Sequence, residues 1–130
     1  MDQKTILIVE DSYSSLLLMD HTLRFSGYLT QLASGVKEAI EIIHSKIPDL
    51  IILDLNMPEI TGYDFLKMRD DLNIKKIPVI VVSALDSQDS IDYAKGLGAS
   101  YLIPKPVKLD LVNEKIKELL KISYPILAIH

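Results

Sequence analysis

The chain has 130 residues, of which 48% are hydrophobic and 25% charged, and its formal net charge at pH 7 is −4. This balance indicates one globular domain with its own core and excludes a wholly disordered chain. The acidic charge argues against direct binding of nucleic acid, and the absence of cysteine excludes disulfides and thiolate metal sites. No apolar run approaches the roughly 20 residues that span a bilayer. We therefore expect a cytoplasmic protein with no membrane contact.

Short runs rich in β-branched residues alternate along the chain with segments whose apolar residues recur at helical spacing. The runs predict five strands, at Thr5–Val9, Tyr28–Ala33, Leu50–Leu53, Val79–Val82 and Ser100–Ile103. The apolar stripes predict a helix after each strand, marked by Leu16, Met19 and Leu23; Val36, Ile40, Ile43 and Ile47; Phe65, Leu66 and Leu72; Ile91, Ala94 and Leu97; and Leu109, Val112, Ile116 and Leu119.

Punctuating residues support this division of the chain. Gly27 and Gly98 stand where helices are expected to end, and Pro48 and Pro78 stand at strand entries. Five β-then-α units predict an α/β fold, with a doubly wound parallel sheet covered by helices on both faces. We expect one domain over residues 1–121, followed by an apolar tail, 122–130, that either docks on the domain or begins a linker to a further region.

Polar residues collect at the carboxyl ends of four of the predicted strands. Ligands of open parallel sheets bind beyond these ends. The first, third, fourth and fifth strands are followed by Glu10-Asp11, Asp54, Ser83-Ala84 and Lys105-Pro106, whereas the second strand offers nothing comparable. Each of these residues alone has an ordinary explanation, such as a helix cap for Glu10-Asp11 or a solvated charge for Lys105. Their joint placement favours a functional site.

Three acids in one crevice repel each other and require a cation. Carboxylates are hard oxygen ligands, so Mg²⁺ fits best, with Mn²⁺ as a substitute. The positive charge of Lys105 and the hydroxyl of Ser83 suit the oxygens of a phosphoryl group. Asp54 is then the candidate nucleophile, because a carboxylate is already ionised at neutral pH and needs no general base.

The segments "ILIVEDS", "PDLIILDLNMPEITGYD", "IPVIVVSAL" and "GASYLIPKP" resemble the receiver domain of bacterial two-component response regulators. The resemblance covers residues 4 to 121. It implies the flavodoxin-like sheet of order 2-1-3-4-5 and a signalling role rather than that of an enzyme with external substrates. Asp54 would accept a phosphoryl group from a phosphohistidine on a sensor histidine kinase or a histidine phosphotransfer protein.

The resemblance also implies roles for the other residues at the strand ends. Asp11, Asp54 and the backbone carbonyl of Asn56 would bind Mg²⁺, and Glu10 would act through water. Ser83 and Lys105 would hold the phosphoryl oxygens, and Ala84 directly follows Ser83. The Lys105–Pro106 peptide would be cis, and Gly62 would open the third helix.

The sequence departs from the family at the position of its switch aromatic. Receivers usually carry a Tyr or Phe three residues before the active-site lysine, and here that position is Leu102. The neighbouring Tyr101 is expected on the opposite face of the strand. The fourth helix, fifth strand and fifth helix would form the face for a downstream partner or a homodimer.

Three other functions remain open at this stage. An aspartate-nucleophile, Mg²⁺-dependent phosphatase would usually carry a second acid where Asn56 stands. A flavin or nucleotide binder would need a Gly-rich or Ser/Thr-rich loop where Glu10-Asp11 stands. A degenerate receiver that signals without phosphorylation would keep the fold, and Leu102 leaves room for it.

Overall fold

The computed structural model describes residues 3–57, 59–84 and 87–122. Five strands and five helices alternate: β1 Thr5–Val9, α1 Tyr13–Phe25, β2 Leu29–Ala33, α2 Val36–Ser45, β3 Leu50–Asp54, α3 Gly62–Met68, β4 Val79–Ser83, α4 Gln88–Gly96, β5 Tyr101–Pro104 and α5 Leu109–Leu120. Within these ranges, none of the helices has the length and apolar character needed to cross a membrane.

The five strands form one parallel sheet of order β2-β1-β3-β4-β5, which confirms the predicted fold. The register pairs Val9 with Leu53, Asp54 with Val82, and Ser83 with Pro104. The carboxyl ends of β1, β3, β4 and β5 therefore lie along one edge. The polar residues that follow these strands meet there, as the sequence predicts.

Side chains that alternate along each strand build two separate cores. The α1/α5 core contains Ile6 and Ile8 of β1 together with buried residues of α1 and α5. The α2/α3/α4 core contains Leu7 and Val9 of β1 together with buried residues of α2, α3 and α4. All five residues of β1, β3 and β4 are buried, because helices cover both faces.

Every predicted strand and helix is confirmed in type, but three apolar stripes extend too far, one of them only by Leu97, the C-cap residue of α4. Ile47 lies beyond α2, which ends before the extended Lys46, and it is 54% exposed. Leu72 lies beyond α3 in a turn, where Asn73 adopts a positive φ and the Ile74 N–H donates to the carbonyl of residue 69. After α2 the backbone becomes extended and after α3 it turns, while the apolar spacing continues in both places.

The strand ends also shift by one residue from their predicted bounds. Tyr28 and Ser100 lie just outside β2 and β5, whereas Asp54 and Ser83 are the last residues of β3 and β4. Gly27 and Gly98 have φ angles of 98° and 100° just after α1 and α4, which confirms them as helix ends. The tail lies outside the described residues from 123 onward, and the boundary at 121 stays a prediction.

A close backbone contact fixes α3 against the end of β3. The Thr61 side chain accepts from the Asp64 N–H and the Asp64 carboxylate accepts from the Thr61 N–H, so the two form a capping box. The Gly62 N–H donates to the Leu55 carbonyl at 3.1 Å. A Cβ at Gly62 would lie 2.5 Å from the Asp54 carbonyl oxygen. Only glycine fits there without a shift of backbone.

We expect Gly62→Ala to lower the free energy of unfolding by about 1–3 kcal/mol, because the added methyl group meets backbone atoms that cannot move aside. Gly96→Ala is the matched control, since a Cβ there meets nothing within 4 Å. It should be neutral or stabilise the last turn of α4 by up to about 1 kcal/mol. Urea unfolding measures both variants, and equal effects would contradict the close-contact explanation.

Candidate functional site

The carboxylate of Asp54 lies at the end of β3 and is almost fully buried, with 3% exposure. Its Oδ1 accepts a hydrogen bond of 3.1 Å from the Asn56 N–H. Its Oδ2 accepts one of 3.3 Å from Lys105 Nζ. A buried carboxylate is costly unless it is paired and hydrogen-bonded. Here one backbone donor and one cation fulfil that requirement.

The backbone of the β5 end positions Lys105 in the site. Its N–H donates to the Ser83 carbonyl at 2.8 Å, which ties the residue to the end of β4. The Lys105–Pro106 peptide that follows is cis, as the resemblance implies. Besides Asp54, Lys105 Nζ reaches the Glu10 Oε1 at 3.9 Å. One ammonium group therefore faces two carboxylates, and its side chain is still 38% exposed.

Glu10 and Asp11 complete the acidic cluster at the end of β1. One oxygen of each of Glu10, Asp11 and Asp54 lies within 4.8 Å of the other two. Glu10 is buried and Asp11 is exposed. The N-cap residue of α1 is Ser12, so the helix-cap interpretation of Glu10-Asp11 is wrong. The Glu10 carboxylate instead accepts from the Ser12 N–H at 3.0 Å.

The environment of the cluster shifts the pKa of the Glu10 carboxyl. The pKa of its carboxyl is raised from 4.5 to about 7, chiefly by burial and also by the neighbouring Asp54, while the Ser12 N–H and Lys105 act in the opposite direction. Near neutral pH, the Glu10 carboxyl is therefore only partly ionised. Three close carboxylate oxygens fit a hard divalent cation such as Mg²⁺, which would remove the repulsion among them.

The other predicted site residues lie at the same edge. Ser83 is buried at the end of β4, one residue beyond the register partner of Asp54, and Ala84 next to it is exposed. The side chain of Asn56 is exposed, whereas its N–H is bound to Asp54. Gly62 opens α3 directly behind this edge. The sheet therefore brings together all the residues that the sequence assigned to the site.

Tyr101 and Leu102 lie on opposite faces of β5, as strand alternation predicts. Tyr101 packs against the α1/α5 core, and Lys115 of α5 lies 4.4 Å from the centre of its ring. Leu102 packs against the α2/α3/α4 core. The position of the usual switch aromatic is therefore aliphatic on the α4 side, and the aromatic ring stands on the α5 side.

Two features of the site were missed by the sequence reasoning. The first is a mainly apolar cavity of about 340 Å³ that is lined by Glu10, Asp54 and Lys105 together with apolar residues such as Leu18 and Leu109. No sequence signal marks such a gap between packed elements. The second is the capping box that begins α3, and the Thr-x-x-Asp spacing of "TGYD" is the signal that would have found it.

Comparisons with known proteins agree with the fold described above. The sequence matches the family described as response regulator receiver domain over residues 6–117. It is 31% identical over 123 residues to sporulation initiation phosphotransferase F of Bacillus subtilis, covering 95% of this chain and 98% of that protein. The polar-differentiation response regulator DivK of Brucella ovis is 31% identical over 118 residues, which cover 90% of this chain and 96% of DivK. The structure of chemotaxis protein CheY4 of Vibrio cholerae matches with a TM-score of 0.85 and 28% identity, over 91% of this chain and 99% of that one.

The raised pKa of Glu10 predicts a pH dependence of stability in metal-free buffer. The folded state holds the Glu10 proton up to about pH 7, whereas the unfolded chain releases it near 4.5. The contribution to stability is therefore complete below pH 4.5 and is lost as the pH rises to about 7. Between pH 5 and 8, the free energy of unfolding of the wild type should fall by roughly 1–3 kcal/mol relative to that of Glu10→Gln.

Chemical unfolding in EDTA at several pH values measures this difference. Glu41→Gln, at an exposed position of α2, controls for the loss of one carboxylate. It should follow the pH profile of the wild type. Parallel profiles for wild type and Glu10→Gln would show that Glu10 does not titrate differently in the folded protein.

Proposed function

The chain belongs to the receiver domain family of two-component response regulators, and we propose that Asp54 is its phosphoacceptor. Receiver domains are signalling domains that bind Mg²⁺ at an acidic pocket and interact with histidine kinases or phosphotransfer proteins and with downstream partners. The observation that carries the proposal is the buried Asp54 carboxylate, 3.3 Å from Lys105 and grouped with two further acids at the open edge of the sheet.

In the proposed reaction, a carboxylate oxygen of Asp54 attacks the phosphorus of a phosphohistidine. An O–P bond forms, the N–P bond breaks, and its electron pair returns to the imidazole nitrogen, which then takes up a proton. Lys105 offers positive charge to the phosphoryl oxygens, and Ser83 offers a hydroxyl at the end of the neighbouring strand. The Asn56 N–H keeps the Asp54 carboxylate in position.

Asp11, Asp54 and the backbone carbonyl of Asn56 would hold Mg²⁺, with Glu10 bound to it through water. When bound, the ion neutralises charge on the carboxylates and on the transferred group. Mn²⁺ would serve in the same place, since it accepts the same oxygen ligands. The clustering of Glu10, Asp11 and Asp54 within 4.8 Å supports this assignment.

The phosphoryl group would act on a downstream protein through the face formed by α4, β5 and α5, or through a homodimer on that face. Support comes from β5, which leads directly into Lys105 and pairs with β4 at Ser83. Sedimentation of the purified protein with and without beryllofluoride distinguishes formation of a homodimer from binding to a different protein. We place the chain in the cytoplasm as part of the same proposal, because phosphohistidine donors are made there from ATP.

Incubation with acetyl phosphate and Mg²⁺ should add one phosphoryl mass to the wild type and none to Asp54→Asn, because the amide is not a nucleophile. Intact mass spectrometry makes the measurement. Asp71→Asn, at an exposed turn position, is the matched control and should be phosphorylated like the wild type.

An adduct that persists in Asp54→Asn would contradict the assignment of the acceptor. If the wild type shows no adduct, beryllofluoride distinguishes two cases. A change in the amide spectrum around Asp54 would indicate a phosphoryl group that hydrolyses quickly. An unchanged spectrum would favour the degenerate receiver that signals without phosphorylation.

Mg²⁺ at millimolar concentration should stabilise the wild type at pH 7.5 by roughly 1–2 kcal/mol, because it binds the folded site and not the unfolded chain. Asp11→Asn should lose most of this gain, whereas Asp71→Asn should keep it. Thermal unfolding with and without the ion measures the effect. An equal gain in all three proteins would place Mg²⁺ binding elsewhere.

A further inference from the structure

Arg69 is a buried cation outside the acidic site, at the C-cap position directly after α3, and it is 7% exposed. Its guanidinium donates to three backbone carbonyls in two other segments. Nη1 donates to Ile77 in the loop before β4 at 3.5 Å, and Nη2 donates to Leu97 and Gly98 at the end of α4 at 3.1 and 3.3 Å. One side chain thus connects α3, the β4 entry and α4.

The charge of Arg69 is balanced by dipoles rather than by an acid. Within the described part of the chain, no carboxylate lies within ion-pair distance of its guanidinium, and its Nε has no hydrogen-bond partner. Burial accordingly lowers its pKa. The carbonyls of Leu97 and Gly98 are at the negative end of the α4 dipole, where a cation is favourable. Moving the end of α4 away would leave this cation buried with few acceptors.

Among the described residues, the contacts of α4 are concentrated in its second half. Ala94 is its one buried residue, and the Tyr93 ring lies 5.3 Å from the Tyr63 ring of α3 and 5.6 Å from Lys67 Nζ. In the first half, the hydrogen bonds of Ser87 and Gln88 stay within α4. Segments with few buried contacts open most easily. The first half of α4 is therefore the less stable half.

The acidic site is connected to both halves of α4. Alternation along β4 places Ser83 on the face of Val81, within the α2/α3/α4 core, at the strand end that leads to the first half of α4. At the other end of α4, Leu97 packs against the same core as Leu102. No aromatic ring stands at position 102 to move between α4 and β5.

We propose that Arg69 clamps the carboxyl end of α4 to α3, so that a phosphoryl group on Asp54 rearranges the first half of α4 and leaves residues 93–98 in place. This inference rests on the proposed function of Asp54. Arg69 is a positioning residue, since it touches neither the carboxylates nor Lys105. Its effect is to restrict where the conformational response occurs.

Hydrogen exchange with and without beryllofluoride and Mg²⁺ tests the clamp in the wild type and in Arg69→Met. In the wild type, exchange should change at residues 87–92 and differ by less than about twofold at 93–98. In Arg69→Met, exchange at 93–98 should be about tenfold faster without the ligand, because charge-assisted hydrogen bonds are lost. Those residues should then respond to the ligand as well.

Arg24→Met removes the other arginine, which is exposed on α1, and should leave the wild-type pattern of exchange unchanged. Arg69→Lys keeps the charge but loses the planar fork, so it should restore the pattern only in part. A side chain with a merely structural role would change stability without changing which half of α4 responds.

Alanine substitutions at two glycines test the contact between Arg69 and Gly98 from the Gly98 side. Gly98 and Gly27 both have φ near 100°, so alanine is strained equally at either position. A Cβ at Gly98 would collide with the Arg69 guanidinium, whereas one at Gly27 meets nothing within 4 Å. Gly98→Ala should therefore raise the unfolding equilibrium constant about tenfold more than Gly27→Ala. In the Arg69→Met background the two should become equal.

The outcomes separate the clamp from the proposed function. If beryllofluoride changes no exchange anywhere near Asp54, the proposed function fails and this inference fails with it. If it changes residues 87–92 and 93–98 alike in the wild type, Asp54 remains the acceptor and the clamp is wrong. A persistent difference between the two glycine variants in the Arg69→Met background would likewise overturn the clamp.

Discussion

Repulsion among three carboxylates at one edge of the sheet is the constraint on which the site depends. Glu10, Asp11 and Asp54 come within 4.8 Å because the carboxyl ends of parallel strands meet there, and Lys105 reaches two of them. The pKa of Glu10 is raised mainly by burial, and the neighbouring Asp54 raises it as well. The two apolar cores hold the strand ends in register despite this repulsion, so the cluster remains assembled.

The position of the acidic site could be predicted because it depends only on which segments form parallel strands and on the residue that follows each strand. Any residue that directly follows a parallel strand reaches the same edge, whatever the exact register, so Asp54 and Lys105 could be assigned together across 51 positions of sequence. The helix lengths were less predictable. Apolar spacing continues past Ser45 into an extended segment and past Met68 into a turn, where a residue such as Leu72 can also face the core.

The environment of Arg69 could not be predicted for a different physical reason. Its acceptors are backbone carbonyls, which every residue carries, so nothing in the letters near Leu97 and Gly98 indicates a partner for a cation. A lone arginine after a helix resembles any solvated charge. The contact between Gly62 and the Asp54 carbonyl is hidden in the same way, because only the assembled backbone shows that a Cβ has no space.

If Asp54 is the phosphoacceptor, as we propose, strand alternation would divide the consequences of phosphorylation between the two faces of the sheet. Glu10 and Asp54 open toward the cavity on the α1 and α5 side, whereas Ser83 belongs to the α2/α3/α4 side. A phosphoryl group held between Asp54 and Ser83 would therefore act on both layers. On the α4 side it meets aliphatic Leu102, while Tyr101 is held beside Lys115 of α5. Without an aromatic ring to move, the extent of the proposed response would depend on how firmly each half of α4 is attached, and Arg69 binds the carboxyl end of α4 at Leu97 and Gly98.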